Sequence, residues 1–221
     1  MRAWVGYGGT FDPIHNGHLA VALAVRDRLE VDVRLVPASD PPHKSATHAD
    51  AGHRLRMVEL AVAGERRLTV DRRELRRPTP SYSIDTLREV RDETGMQVPL
   101  VWVIGADSLA QLHRWHRWHE LFDVAHLLAV GRPGFPLDPA GLAAIDGGLA
   151  VEVSPRLRPP ESLLRSPAGG LALLPMEPPR AESSTAVRAA IAADEPWMSQ
   201  VPPPVAAYIA RHRLYASADP A

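Results

Sequence analysis

Leu100-Val101-Trp102-Val103-Ile104-Gly105 is apolar at every position up to the glycine that closes it. A strand without polar alternation is covered on both faces, as the strands of parallel sheets in α/β proteins are. Ala3 to Tyr7, running into Gly8-Gly9, reads as a second such strand and Leu127 to Val130 as a third. Val31-Asp32-Val33-Arg34-Leu35-Val36 alternates and stops at Pro37, while Leu68 to Val70 and Leu171 to Leu174 complete the set. Helical patterns lie between them. One begins at Gly17 with Leu19, Ala22, Leu23 and Leu29 roughly on one face, and another spans Arg54 to Ala63. A third is capped by Ser83 or Asp85 and ended by Gly95. Ser183-Ser184-Thr185 opens an Ala-rich helix, and Pro202-Pro203-Pro204 separates it from a last one over Val205 to Arg213. This alternation predicts an α/β fold, a parallel sheet of five or more strands flanked by helices. Residues 1–221 read as a single domain, with a Pro- and Gly-rich excursion at about 134–170.

The 221 residues are 45% hydrophobic and 23% charged, the balance of an ordinary soluble globular protein. A net charge of -1 leaves no footprint for a nucleic-acid polymer or an anionic membrane, so any nucleotide must be held by local groups. No apolar run approaches the roughly 20 residues that cross a bilayer. Met1-Arg2-Ala3-Trp4-Val5 reaches glycines too soon for a signal peptide, so the expected location is the cytoplasm. With no cysteine, disulfides and thiolate metal sites are excluded.

The loop after the first strand carries the chemistry: Gly8-Gly9-Thr10-Phe11-Asp12-Pro13-Ile14-His15-Asn16-Gly17-His18. It sits at a strand's carboxyl end, where α/β sheets place ligands. Glycines allow phosphate to approach backbone N–H groups, and the helix start adds partial positive charge. The spacing is not the dinucleotide fingerprint, and no Lys-Ser/Thr of a P-loop follows. Instead His15 and His18 stand at the helix entrance, where imidazoles donate hydrogen bonds to phosphate oxygens. Two other readings stand beside this one. In the first, His18 only caps the helix and Gly8-Gly9 is a turn; in the second, His15, His18 and Asp12 ligate a metal.

The string Gly-Gly-Thr-Phe-Asp-Pro-Ile-His-Asn-Gly-His-Leu resembles the signature of the HxGH nucleotidyltransferases, and more closely that of the bacterial nicotinate-mononucleotide adenylyltransferases. Further blocks match. Pro41-Pro42-His43-Lys44 follows the second strand, and the resemblance implies that His43 and Lys44 line the phosphates. Glu74-Leu75-Arg76-Arg77, by itself no more than an exposed basic run, precedes Pro80-Ser81-Tyr82-Ser83. The family's counterpart of this second stretch meets the nicotinate half of the substrate. Tyr82, Ser83 (where Thr is usual) and the backbone at Ile84 inherit that role. Ile104-Gly105-Ala106-Asp107 offers adenosine a close approach at Gly105 and a carboxylate for ribose at Asp107, which is also a candidate helix cap.

Trp115 and His116 match the place where the family stacks an aromatic on the pyridine and offers backbone N–H groups to its carboxylate. His116 stands where Tyr is common. The surrounding run of histidines, His113, His116 and His119, drifts around a helix at three-residue spacing and completes no metal set. Gly131-Arg132-Pro133-Gly134 resembles the family's Arg-Pro-Gly block, and the resemblance implies that Arg132 lies beside adenine.

Ser183-Ser184-Thr185-Ala186-Val187-Arg188 resembles the family's second signature, a cap and surface arginine when read alone, the other jaw of a triphosphate clamp when paired with the first loop. Glu182 departs from the apolar residue usual there. The resemblance spans Gly8 to Arg188. It implies a Rossmann-like nucleotidyltransferase fold and a reaction of ATP with nicotinate mononucleotide, with Mg²⁺ carried by ATP because the motifs show no carboxylate cage. It further implies that His15 and His18 hold the reacting phosphates, while Lys44 and Arg188 hold the leaving pyrophosphate. A sibling transferase of phosphopantetheine or a cytidylyl group, and a nucleotide-binding regulator without turnover, are the alternatives.

Overall fold

The computed structural model describes residues 3–39, 47–77, 81–131, 133–135 and 138–216. His43, Lys44 and Arg132 lie outside the described residues. The strands are β1 (Trp4–Gly9), β2 (Val33–Pro37), β3 (Leu68–Val70), β4 (Leu100–Gly105), β5 (His126–Val130) and β6 (Leu171–Leu174). They form one sheet in the order β3-β2-β1-β4-β5-β6, every pairing parallel. The expected α/β class and the strand positions hold. From β1 the chain steps outward to β2 and β3, then crosses back to β4 on the other side of β1. The switch between β1 and β4 opens a crevice at the carboxyl ends of the strands, the usual ligand position of such sheets.

Helices cover both faces. On one lie α1 (Asn16–Leu29), α2 (Ala51–Val62), α8 (Ser184–Ala192) and α9 (Pro203–His212). Val25, Met57, Val58, Val187, Val205 and Ile209 join Val5, Leu35 and Val103 in the core there. The other face is covered by α3 (Ser83–Thr94), α4 (Ala106–Ala110), α5 (Leu121–Val124), α6 (Pro139–Ile145) and α7 (Gly147–Val153). Ile84, Leu87, Leu109 and Phe122 pack there on Trp4, Trp102 and Ile104.

Four local readings change. Asp50 accepts from the backbone N–H of His53, so α2 starts at Ala51, one turn before Arg54. The N-cap of α3 is Tyr82, whose side chain makes no cap bond; Ser83 and Asp85 fall inside the first turn, while Gly95 at φ 84° ends the helix as expected. The histidine run is not one helix: two 3-10 turns, Leu112–Arg114 and Trp118–Glu120, flank an extended Trp115. The stretch around 134–170 is the crossover from β5 to β6. Asp138 and Asp146 cap its two short helices, and Leu142, Leu149 and Val153 are buried in the second core. Each fully buried leucine of that crossover contributes about 1.5–3 kcal/mol.

Candidate active site

The loop from Gly9 to His18 folds around its own side chains. Asn16 opens α1, with His15 as N-cap in extended conformation. His15 Nδ1 accepts from the backbone N–H of His18, and His18 Nδ1 accepts from that of His15, each at 3.3 Å. This reciprocal box satisfies helix-end donors. The rings stack at 3.7 Å between centroids. A ring nitrogen that accepts from N–H carries no proton itself, so each neutral imidazole bears its hydrogen on Nε2. The capping reading is thus realised on Nδ1 of each ring.

The glycines of the loop also make room for neighbouring side chains. A Cβ on Gly8 would come within 2.2 Å of the Trp102 ring, one on Gly9 within 2.8 Å of Phe11, and one on Gly17 within 3.0 Å of His15 Nδ1. Phe11, at φ 50°, is buried with its ring edge against His18, 5.1 Å between centroids. Its side chain is thus committed to the core beside the imidazole.

Ser183 Oγ caps α8 by accepting from the N–H of Ala186 at 3.1 Å. Ser184 Oγ donates to the carbonyl of Pro13 at 2.9 Å. Arg188 donates from Nη1 to the carbonyl of Asp12 at 2.6 Å and from Nη2 to Thr185 Oγ1 at 3.4 Å. The two signatures are thus joined by direct hydrogen bonds across a gap of more than 170 residues. Glu182 pairs with Arg180 at 3.3 Å.

Asp12 itself is only 5% exposed. Its carboxylate accepts from the N–H of His48 at 2.8 Å, that of Ala49 at 3.2 Å and the hydroxyl of Tyr215 at 2.8 Å. Those donors take it out of the alternative metal set with His15 and His18. Among the described residues no group of three or more His, Asp or Glu is placed to hold a metal ion.

Arg54, missed as a site residue, is fully buried and donates to the carbonyls of Thr10, Ala38, Ser39 and Ala49. It thereby ties together the loops that follow β1 and β2. Its signal was present in the sequence: a charged residue sharing the i, i+3, i+4, i+7 face of Met57, Val58 and Ala61.

At the carboxyl ends of the central strands, Tyr7 of β1 is level with Val103 of β4. Gly9 and Gly105 lie two residues further along their strands, at the mouth of the crevice. Gly105 is the N-cap of α4 and Asp107 sits half-buried in its first turn, so Asp107 is not the cap.

The third group gathers at the start of α3. The Tyr82 and His116 rings lie 4.3 Å apart, and Ser81 Oγ meets Ser39 Oγ at 3.3 Å beside the end of β2. Arg88 of α3 pairs with Glu120, which also binds Arg117 at 2.6 Å, so an exposed ion-pair chain runs from α3 to the turn that follows Trp115 and His116. Ser83 and Ile84 stand in the first turn, where helix N–H groups lack intrahelical acceptors.

Glu74 and Arg77, read from sequence as part of an exposed run, brace this turn. Thr86 Oγ1 donates to buried Glu74 at 2.7 Å and accepts from Arg77 at 2.8 Å. Burial holds the Glu74 carboxyl above its ordinary 4.5. The folded chain then binds the proton more tightly than the unfolded chain, so stability falls as pH rises from about 4.5. Glu74→Gln keeps the acceptor and removes the charge. Its Tm relative to the unsubstituted chain is expected to rise between pH 4.5 and pH 8, and melts across that range check the sign.

A family model described as cytidylyltransferase-like matches residues 6–190. A Stenotrophomonas maltophilia (strain K279a) protein named probable nicotinate-nucleotide adenylyltransferase is 49% identical, with 100% of both chains covered. The chain belongs to the nicotinate-nucleotide adenylyltransferase family. Another member so named, from Chromobacterium violaceum, is 46% identical over 97% of this chain and 100% of its own. The structure of Plasmodium falciparum nicotinic acid mononucleotide adenylyltransferase complexed with NaAD superposes with a TM-score of 0.74. It is 16% identical and covers 97% of this chain and 98% of that one, so it shares the fold of the family.

Proposed function

We propose that the chain transfers the adenylyl group of ATP to nicotinate mononucleotide, giving nicotinate adenine dinucleotide and pyrophosphate. The observation that carries this reading is the pairing of two anion-directed helix starts, α1 with its histidine box and α8 with Arg188, hydrogen-bonded to each other at the mouth between β1 and β4. The mononucleotide's phosphate attacks the α-phosphorus in line. That phosphate is already ionised near neutral pH, so the protein has to position the groups and stabilise charge.

In this reading the Nε2–H groups of His15 and His18 hold the reacting phosphates. Lys44, Arg188 and the hydroxyls of Ser183, Ser184 and Thr185 receive the pyrophosphate. The backbone of Gly8, Gly9, Thr10, Phe11 and Gly17, with His43, Gly105, Asp107 and Arg132, takes the adenylate. Tyr82, Ser83, Ile84, Trp115 and His116 take the pyridine. Mg²⁺ arrives bound to ATP, and the reaction belongs to the cytoplasm.

Pyrophosphate release with ATP is to be measured against nicotinate mononucleotide, phosphopantetheine and, with CTP, other phosphate acceptors. Turnover only with a pyridine mononucleotide supports the assignment; ATP binding without pyrophosphate release overturns it in favour of a regulator. Arg188 gives a finer test. Arg188→Ala should weaken ATP and pyrophosphate at least tenfold, while nicotinate mononucleotide binds within about twofold of normal; a hydrogen bond from a charged donor is worth about 1.5–3 kcal/mol. Arg188→Lys keeps the charge without the fork and should fall between. Calorimetry showing the larger loss for the mononucleotide would reverse the orientation of the substrates.

A further inference from the structure

Tyr215 lies past the C-terminal end of α9, far from every motif that defines the site. α9 packs on α2, with Tyr208 Oη and His53 Nδ1 2.9 Å apart. After His212 the chain turns back: Arg213 and Tyr215 both adopt positive φ, and the N–H of Leu214 donates to the carbonyl of Ile209 at 3.1 Å. The turn lays the Tyr215 ring against the core face shared by α1, α2, α8 and α9. Its hydroxyl then meets Asp12 Oδ1 at 2.8 Å, across 203 residues of sequence.

Asp12 is where the parts of the site meet. It lies three residues before His15. Its carbonyl takes the Arg188 guanidinium, and its carboxylate takes the amides of His48 and Ala49, which lead into α2. We propose that Tyr215 is a positioning residue for adenylyl transfer, its hydroxyl fixing the Asp12 carboxylate and, through Asp12, the relative placement of the histidine loop and Arg188. The C-terminal turn is then part of the active site's framework. Burial and the neighbouring carboxylate push the phenol far above its ordinary range, so it stays a donor throughout the working pH range. Without Tyr215 the carboxylate keeps its amide donors and the nearby His48 imidazole, 3.5 Å away, but loses the phenol's bond to Oδ1. A misplacement of about 1 Å in such a framework is felt in turnover far more than in binding.

The inference rests on the adenylyl-transfer reading, and its test is chosen to separate the two. Tyr215→Phe keeps the ring in the core and removes only the hydroxyl. Expected are a kcat about tenfold lower, KM values for ATP and nicotinate mononucleotide within about twofold, and faster amide exchange at residues 47–50. In an Asp12→Asn background the same change should cost less than twofold more, since coupled residues are not additive. Unchanged kcat in Tyr215→Phe, or a full tenfold loss repeated in the Asp12→Asn background, would overturn the proposal. Should Asp12→Asn fail to fold, as circular dichroism would show, Tyr215→Phe with its kcat-to-KM split decides alone. Should the unsubstituted chain not release pyrophosphate, the functional reading fails instead. Amide exchange at residues 47–50 then decides whether Tyr215 fixes Asp12: faster exchange in Tyr215→Phe supports the link, and unchanged exchange refutes it.

Discussion

His18→Ala is expected to lower kcat by about 10²–10³-fold, the loss typical of one donor to a developing oxyanion, about 2.7–4 kcal/mol. Binding of ATP should change much less, because the bond strengthens as charge moves onto the transferring phosphate. The geometry explains why this donor is prepared in advance. His18 Nδ1 is engaged by the backbone N–H of His15, so Nε2 bears the hydrogen without any protonation event. The ring stacks on His15 and lies T-shaped to Phe11, contacts that favour one orientation.

The same geometry demands a control. Alanine also removes the reciprocal cap, and such a loss costs about 0.5–2 kcal/mol of stability. Glutamine at this third helical position keeps an acceptor for the His15 N–H, as capping boxes do. His18→Gln should therefore melt closer to the unsubstituted chain than His18→Ala while remaining slow. A His18→Ala enzyme with near-normal kcat would remove the imidazole from the mechanism.

How much of this was legible depended on where the determining forces act. Leu100 to Ile104 announced a central parallel strand because both its faces are buried, and burial on both faces leaves no polar positions. The strand order was not legible, because it is set by which way the crossovers return. Gly8 read as a phosphate-approach glycine, but its second constraint, the Trp102 ring that a Cβ would strike, was not legible because that contact is made across β1 and β4. Residues around 134–170 stayed unreadable because α6 and α7 are too short for periodicity, though Asp138 and Asp146 were readable as caps. Tyr215 gave no signal. One tail tyrosine acquires its partner only when the last turn folds back over the first loop.

The choice of nicotinate over nicotinamide mononucleotide is expected to reach about a hundredfold in kcat/KM. The two differ by a carboxylate against a neutral amide. The carboxylate only accepts hydrogen bonds, while the amide nitrogen brings donors of its own. The proposed pocket is made of donors: the backbone N–H groups of Ser83 and Ile84 in the first turn of α3, the Ser83 hydroxyl and the backbone at His116. The partial positive charge of that helix start favours an anion further. Glu120 links the His116 segment to α3 through its pairs with Arg88 and Arg117, though such exposed pairs contribute little.

Facing the amide nitrogen, these donors would lose their partners at about 1–3 kcal/mol each. Two such mismatches suffice for the hundredfold figure, since about 1.4 kcal/mol is a factor of ten. Trp115, Tyr82 and the His116 ring cannot discriminate, because both pyridines present the same face. Stacking on the pyridine would therefore contribute equally for the two substrates, and on this proposal the helix start tells them apart. The deciding measurement is kcat/KM for both mononucleotides at the same ATP and Mg²⁺, repeated with Ser83→Ala. A preference that shrinks about tenfold in Ser83→Ala, with nicotinamide turnover unchanged, locates the discrimination at α3. Equal values in the unsubstituted chain would leave adenylyl transfer standing and refute the donor pocket.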